Sequence, residues 1–442
     1  FQAEDGIRDA QESRGLGDVY KRQIKVPGDK SISHRSIMLG SIATGITNVS
    51  GFLQGEDSLA TLNSFKEMGV QIEREGSNVI INGVGMHGLR EPSNPLNLGN
   101  SGTSIRLMSG LLSAQSFDSE LCGDESLSKR PMARVIEPLR KMGADISGPS
   151  SRPPLTIKGK KRLSSLKYTL PVASAQIKSC LLLAGLYADG ETHIIENGIS
   201  RDHTERMLQG FGYKVNTAPG EVSILGGGSL KGCDIEVPSD ISSSAFFMVA
   251  ASIAEQADIT LLAVNVNPTR TGVIDILRLM GANIELTNQR LQAGELIADI
   301  RVCSSELKGI NIPEHLVPLA IDEFPVIFIA ASCAKGETVL TGAKELRVKE
   351  SDRIQVMADG LRSLGIENEV LDDGIKITGG KFKEQIAPIK SHHDHRISMS
   401  FAVASVKSSY EISIDGVDNV KTSFPNFVEL ANSIGMDITE IK

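Results

Sequence analysis

Two kinds of helical pattern alternate along this chain. One is apolar on every side: "SIMLGSIATG", "RLMSGLLSAQ", "KSCLLLAGLYADG", "AFFMVAASIAEQ", "VIFIAASCAKG" and "SMSFAVASVKS". A helix of that kind in a globular protein has no face for water and is buried. The other is apolar on one side and reaches a glycine before a strand-like run: "LNSFKEMGVQI", "IEPLRKMGADI", "ERMLQGFGYKV", "DILRLMGANI", "DGLRSLGIENEV" and "ELANSIGMDI". The glycines, Gly69, Gly143, Gly212, Gly281, Gly365 and Gly435, recur at intervals of 69 to 84 residues. Each fits a helix C′ position, where φ > 0 carries no Cβ penalty. One unit therefore runs buried helix, strand, polar loop, amphipathic helix, glycine, strand, and often another strand. Six such α/β units, three per domain, account for the 442 residues.

Polar residues open every buried helix: "KSISHR" (30–35), "GNSGTSIR" (99–106), "SAQIKS" (174–179), "SDISSSA" (239–245), "DEFP" (322–325) and "HHDHR" (392–396). A helix N-terminus has free N–H groups and about half a positive charge, so it is a ready anion site. If all six starts face one cleft, that cleft suits a multiply anionic ligand. Ser, Asp and Asn are also ordinary N-caps, and "SDISSSA" alone reads best that way. Capping does not account for Arg35, Arg106 and Arg396, because Arg opposes the dipole of a first turn unless an anion compensates it.

Charge and composition narrow the choices. The net charge of −8 argues against a nucleic-acid binder that relies on a bulk positive field, so any cationic site is a local cluster. The longest apolar runs, near 245–254 and 324–334, fall short of the ~18–20 residues of a membrane helix. Cys122, Cys180, Cys233, Cys303 and Cys333 are scattered, odd in number and without a C-x-x-C. They are expected to be reduced, cytosolic and mostly buried, and not a disulfide or zinc framework.

The charged segment "KELRVKESDRIQ" (344–355) sets Lys349, Glu350 and Arg353 at i, i+1 and i+4. As a helix it would place Lys349 and Arg353 on one face with Glu350 nearly a quarter-turn away, and a solvated charged helix would read the same. Arg130 precedes Pro131, which is expected at N1 of a helix. Asp322 and Glu323 open an apolar run and read as caps or as a base for a substrate hydroxyl. His392, His393 and His395 lack the spacing of a metal site. The "GGG" at 226–228 is a turn without the Lys-Ser/Thr of a phosphate loop.

In combination, "PGDKSISHR", "LGNSGTSIRL", "GDESLSKRPM", "SAQIKS", "SRDHTERML", "DEFP", "RVKESDR" and "HHDHRISMSF" resemble the 5-enolpyruvylshikimate-3-phosphate synthase family of enolpyruvyl transferases, from about residue 24 to the end. The resemblance implies a two-domain inside-out α/β barrel, with three βαβαββ units per domain around buried helices. The chain would start in one lobe (23–27 plus 241–442), build the other (28–240), and return, with hinges near Pro27-Gly28 and Val237–Ile241 and the active site in the cleft between. It also implies transfer of the enolpyruvyl group of phosphoenolpyruvate to the 5-hydroxyl of shikimate 3-phosphate. Phosphate is released through a tetrahedral intermediate, on the route to chorismate and aromatic amino acids.

Residue roles follow from the same likeness. Lys30, Asn100, Gly102, Thr103, Arg130, Gln176, Arg353 and Arg396 match the phosphoenolpyruvate site, together with Arg106. Lys30, Ser31, Arg35, Ser174, Ala175, Gln176, Arg201, Asp322 and Lys349 match the shikimate 3-phosphate site. Asp322 is similar to the base for the attacking hydroxyl, and Glu350 to the group that protonates the methylene carbon. Lys30 is similar to the catalytic lysine. No cofactor or metal is implied. The partners are the two small molecules, with no nucleic acid or membrane, and the expected state is a cytoplasmic monomer. Lys421 lies one residue too early for the lysine that some members place near the C-terminal "F-P".

Residues 1–22 fit nothing that follows and read as a translated adapter or assembly scar, a natural tail being the alternative. Two rivals stand beside the main reading. The sister enzyme, UDP-N-acetylglucosamine enolpyruvyl transferase, carries a loop cysteine where this chain has Glu125. A non-catalytic sensor of phosphorylated metabolites would bind anions but have no use for Asp322 and Glu350.

Overall fold

The computed structural model describes residues 21–159, 162–292 and 294–441. All six buried helices are present, as Lys30–Ile42, Gly102–Leu112, Ala175–Gly185, Ile241–Ile253, Phe324–Cys333 and His395–Ala404. Their all-round apolarity has the expected result. Every residue of Ile241–Ile253 is buried, and so are nine of the ten in Phe324–Cys333. The last three of these helices pack on one another, and Gly102–Leu112 packs on Ala175–Gly185. That second contact depends on Gly110, where a Cβ would lie 2.0 Å from the Cys180 carbonyl oxygen.

The repeated glycines terminate amphipathic helices in one shared way. At Gly69, Gly143, Gly212, Gly281, Gly365 and Gly435 φ lies between +77° and +99°. The residue after each glycine donates its N–H five residues back, as in Val70 to Phe65, Ala144 to Leu139 and Met436 to Ala431. This is the Schellman arrangement, which satisfies carbonyls the helix leaves orphaned. A strand follows the first five glycines. After Gly435 no strand follows among the described residues.

Among the described residues the strands form six sheets. Where four strands are present, an edge strand pairs in parallel with the strand after the buried helix, and the rest is antiparallel. The sheet of Lys167–Leu170, Glu191–Glu196, Glu221–Leu225 and Val215–Ala218 is an example. Two edge strands are exchanged. Lys21–Ile24 runs into the helix at Lys30 yet pairs with Asp258–Asn265, while Asp234–Glu236 runs into the helix at Ile241 yet pairs with Thr44–Ser50. Between them the chain crosses itself. Asp29 N–H donates to the Pro238 carbonyl (2.8 Å) and Asp240 N–H to the Pro27 carbonyl (2.9 Å). Gly28 is needed at this crossing, since a Cβ would sit 1.9 Å from the Gly51 oxygen.

Buried apolar side chains form two separate clusters. One joins Ile24 and Val26 to residues 241–436, and the other spans 32–237. The strand at Lys21–Ile24 corrects the expected leader boundary: Lys21 and Arg22 are paired with Asp258 and Ile259 and belong to the fold. The rest of the proposed leader lies outside the described residues. The cysteine expectation also needs correcting. Cys180 is buried, but Cys122, Cys233, Cys303 and Cys333 are half-buried. No described helix is long and apolar enough to cross a membrane.

Candidate active site

The starts of all six buried helices contribute to the lining of one cavity of about 300 Å³, through Lys30, Thr103, Gln176, Ser242, Asp322 and Arg396 among others. A smaller chamber of about 70 Å³ shares Lys30, Thr103, Arg130, Gln176, Glu350 and His395 with it, and adds Asp57, Asn100 and Gly102. Nine Lys or Arg side chains line the larger cavity against four Asp or Glu. An acidic protein has therefore gathered a local excess of five positive charges around one hollow, on top of the helix dipoles.

Two carboxylates sit within that cationic shell. Asp322 Oδ2 accepts from Arg201 at 2.5 Å, and its Oδ1 lies 3.3 Å from Lys349 Nζ and 3.5 Å from Arg353 Nη1. Glu350 accepts from Arg353 Nη2 at 2.6 Å and lies 3.9 Å from Arg130. Arg353 thus touches both carboxylates. It is 1% exposed and anchored through Nε to Asp394, the N-cap of His395–Ala404, at 2.8 Å. Among the described residues its Nη1 has no hydrogen-bond partner, and it lies 3.5 Å from Asp322. Burial alone would raise the pKa of Asp322, but Lys349, Arg201, Arg396 and Arg353 together hold it well below the usual range. Glu350 keeps 29% of its side chain exposed; desolvation within the site opposes its ionised form, but Arg353 and Arg130 outweigh that and hold its pKa low. The same cations therefore favour the ionised form of both carboxylates.

The phosphoenolpyruvate candidates form hydrogen-bonded pairs. Arg130 Nη2 donates to Asn100 Oδ1 (2.5 Å), and Asn100 in turn donates to Asp124 (2.7 Å). Arg106 donates to Gln176 Oε1 (2.6 Å), and Gln176 Nε2 donates to Thr103 (3.2 Å). Burial and the neighbouring Arg130 and Arg134 push the Arg106 pKa down to about 10. Lys30 is ion-paired with buried Asp57 and donates to Ser423 at 3.3 Å. Arg396 donates to the Asp322 backbone oxygen at 2.9 Å.

Several expectations need correcting. Lys349 and Glu350 are not on a helix. A short 3-10 turn ends at Val348 and the α-helix starts at Arg353, capped by Asp352, which accepts from Gln355 N–H at 3.1 Å. Pro131 is not at N1, because the helix begins at Ala133. Glu323 occupies the N-cap of Phe324–Cys333, but no side-chain cap bond forms there, so Asp322 is free of a capping duty. Arg35 and Ala175 do not line the cavity. Arg35 is buried and spent on Thr204 (2.7 Å), Ser179 (2.9 Å) and the Ser31 carbonyl (2.9 Å). Ser31, Ser174 and Arg201 do line it. Lys421 lies outside the lining and pairs with Glu440 at 3.4 Å. Sequence reasoning missed Arg134, Arg270, Glu345 and Phe246, all in the lining. Arg270 stands in "NPTRTG", a loop with no periodic signal.

A cation-rich cleft with two carboxylates on one shared guanidinium defines a class of site: one for small polyanionic substrates, with acid–base groups at hand. Comparison with known proteins carries the identification further. The family model for EPSP synthase (3-phosphoshikimate 1-carboxyvinyltransferase) matches residues 17–430. The 3-phosphoshikimate 1-carboxyvinyltransferase of Ruthia magnifica subsp. Calyptogena magnifica is 69% identical over 415 residues, covering 94% of this chain and 95% of that protein. The protein of that name from Hydrogenovibrio crunogenus is 58% identical, over 96% and 97% of the two chains. A solved EPSP synthase from Acinetobacter baumannii superposes with a TM-score of 0.86 at 57% identity, covering 96% of this chain and 98% of its own. The chain belongs to the EPSP synthase family.

Proposed function

We propose that this chain transfers the enolpyruvyl group of phosphoenolpyruvate to the 5-hydroxyl of shikimate 3-phosphate and releases phosphate, as a cytoplasmic transferase of aromatic amino-acid biosynthesis. We further infer a two-lobed inside-out α/β barrel of six βαβαββ-type units, with lobes of 21–27 plus 241–441 and of 28–240 and the site between them. The two apolar clusters and the exchanged edge strands support that division.

The observation that carries the chemistry is Arg353 bound to both Glu350 and Asp322. It sets an acid and a base on either side of one small volume. Phosphoenolpyruvate brings a carboxylate and a phosphate, which guanidinium groups meet bidentately; Arg130, Arg353, Arg396 and Lys30 are the groups to receive them. Once those cations are shared with substrate anions, they hold Glu350 less strongly in its ionised form, and its pKa rises. The protonated Glu350 then gives its proton to the methylene carbon, and the adjacent carbon becomes electron-deficient. The substrate hydroxyl attacks that carbon while Asp322 takes its proton. In the resulting tetrahedral intermediate, Glu350, now a carboxylate, removes a proton from the new methyl group. The carbon–oxygen bond to phosphate breaks, and the double bond returns. Shikimate 3-phosphate is held by Ser31, Ser174, Gln176, Arg201 and Lys349, and Arg35 supports Ser31 through its carbonyl.

Purified protein given both substrates should release phosphate, and omission of either should abolish release. Release with phosphoenolpyruvate alone would make the chain a phosphatase and end this reading. Asp322→Asn should abolish turnover while shikimate 3-phosphate still binds, as titration calorimetry would register.

A further inference from the structure

Two buried aspartates meet where the chain crosses itself. Asp29 caps Lys30–Ile42, accepting from Ile32 N–H at 2.9 Å, and so fixes the helix start that presents Lys30 and Ser31. Asp240 caps Ile241–Ile253, accepting from Ser242 N–H at 3.0 Å. They stand on antiparallel crossing segments joined by a Gly28–Ser239 bridge. Such carboxylates repel each other unless a cation lies between them. Arg270 fills that place. Nη1 lies 3.2 Å from Asp29 Oδ2, and Nη2 donates to Asp240 Oδ1 at 3.2 Å and to Ser242 Oγ at 2.7 Å. Ser242 then donates to Glu323, the residue beside Asp322. Arg270 is 2% exposed, yet it faces the cavity.

We propose that Arg270 is a positioning residue that registers Lys30 against Asp322, by clamping two helix caps across the crossing and reaching the Asp322 turn through Ser242. A fork geometry is required. A lysine keeps the charge but cannot bridge Asp29 and Asp240 while also meeting Ser242. This inference rests on the transferase reading of the cavity. It adds a residue that touches neither reacting carbon nor general base.

The test is steady-state kinetics on Arg270→Lys with both substrates, alongside its melting curve. The expected outcome is a folded variant whose kcat falls by about 100-fold, as slight misplacement of reacting groups allows, while KM for shikimate 3-phosphate moves less than about threefold. Activity lost merely through weakened folding would instead recover on cooling well below the melting transition. In a Lys30→Ala background the added loss should shrink to about threefold or less, because Arg270 acts through Lys30. A folded Arg270→Lys with near wild-type kcat overturns the proposal, as does full additivity with Lys30→Ala. Should Arg270→Lys not fold, Asp240→Asn removes one anchor and leaves Arg270 in place. The same selective loss of kcat supports the clamp, and an unchanged kcat overturns it. Wild-type protein assayed in parallel separates the two claims: absent two-substrate phosphate release there would refute the transferase reading itself.

Discussion

The two walls of the cavity are unlike. Residues 30–201 contribute five cations to its lining, Lys30, Arg106, Arg130, Arg134 and Arg201, and no carboxylate. Residues 240–424 contribute four cations, Arg270, Lys349, Arg353 and Arg396, and all four carboxylates, Asp240, Asp322, Glu345 and Glu350. The second wall has as many carboxylates as cations and ties most of them together, with Lys349 and Arg353 on Asp322 and Arg353 on Glu350 and Asp394. The first wall has no carboxylate in the lining: Lys30 leans on Asp57 behind it, and Arg201, Arg130 and Arg134 reach across to Asp322, Glu350 and Glu345, so substrate anions compete for these cations. On the proposed function, the first wall mainly attracts and orients the substrate anions, and the second carries the proton transfers.

The sharpest break of this contrast lies in the second wall. Glu350→Gln keeps the shape and removes the proton carrier, so kcat should fall by about 1000-fold, within the usual range for general acid–base groups, with binding of both substrates retained. Next comes the first wall. Arg130→Ala should raise KM for phosphoenolpyruvate by about 30-fold, the scale of one charged hydrogen bond lost, with a smaller change in kcat. If Arg130→Ala instead lowered kcat alone, the division of tasks would fail. Gly102→Ala sharpens the same point sterically. Its Cβ would sit 2.8 Å from Arg130 Nη1 and 3.0 Å from Arg106 Nη1, and Arg130 is tethered to Asn100. KM for phosphoenolpyruvate should rise by about tenfold through the displaced guanidinium groups, leaving shikimate 3-phosphate binding unchanged by calorimetry.

Much of this could be read from the chain because the signals were local. A C′ glycine must adopt positive φ wherever it occurs, so Gly69 through Gly435 declared six helix ends directly. Apolarity on all sides marked the buried helices for the same reason. What escaped was set by tertiary contacts or by competing local rules. The alternating charges of 344–355 mimic a helix, yet Asp352 caps at its own position and starts the helix one residue later, which leaves Glu350 in the loop. The Asp352…Gln355 pair was the available clue. Arg35 had a convincing motif, but Thr204 and Ser179 take up its donors. Arg270 gave no signal, because its partners Asp29 and Asp240 lie 241 and 30 residues away and meet only at the crossing.

Smaller effects test the frame that carries both walls. His34 is fully buried against Thr61, with Nδ1 at 2.8 Å, and burial depresses its pKa to about 3. Folding therefore favours the neutral ring. That contribution is complete above about pH 6.5 and is lost as pH falls toward about 3, at a limiting slope of about 1.4 kcal/mol per pH unit. Denaturant titrations between those pH values should show His34→Gln with a flatter acid slope than wild type. Gly212→Ala should cost about 1 kcal/mol, through φ of +81° with no crowding at its Cβ, and should leave kcat and both KM values alone.

The reaction run in heavy water tests the proton shuttle at Glu350 most directly. A methyl group formed and then deprotonated must leave solvent deuterium on the vinyl carbon of the product. The account predicts that label in wild-type product by mass spectrometry. Turnover with no deuterium at that carbon would contradict it.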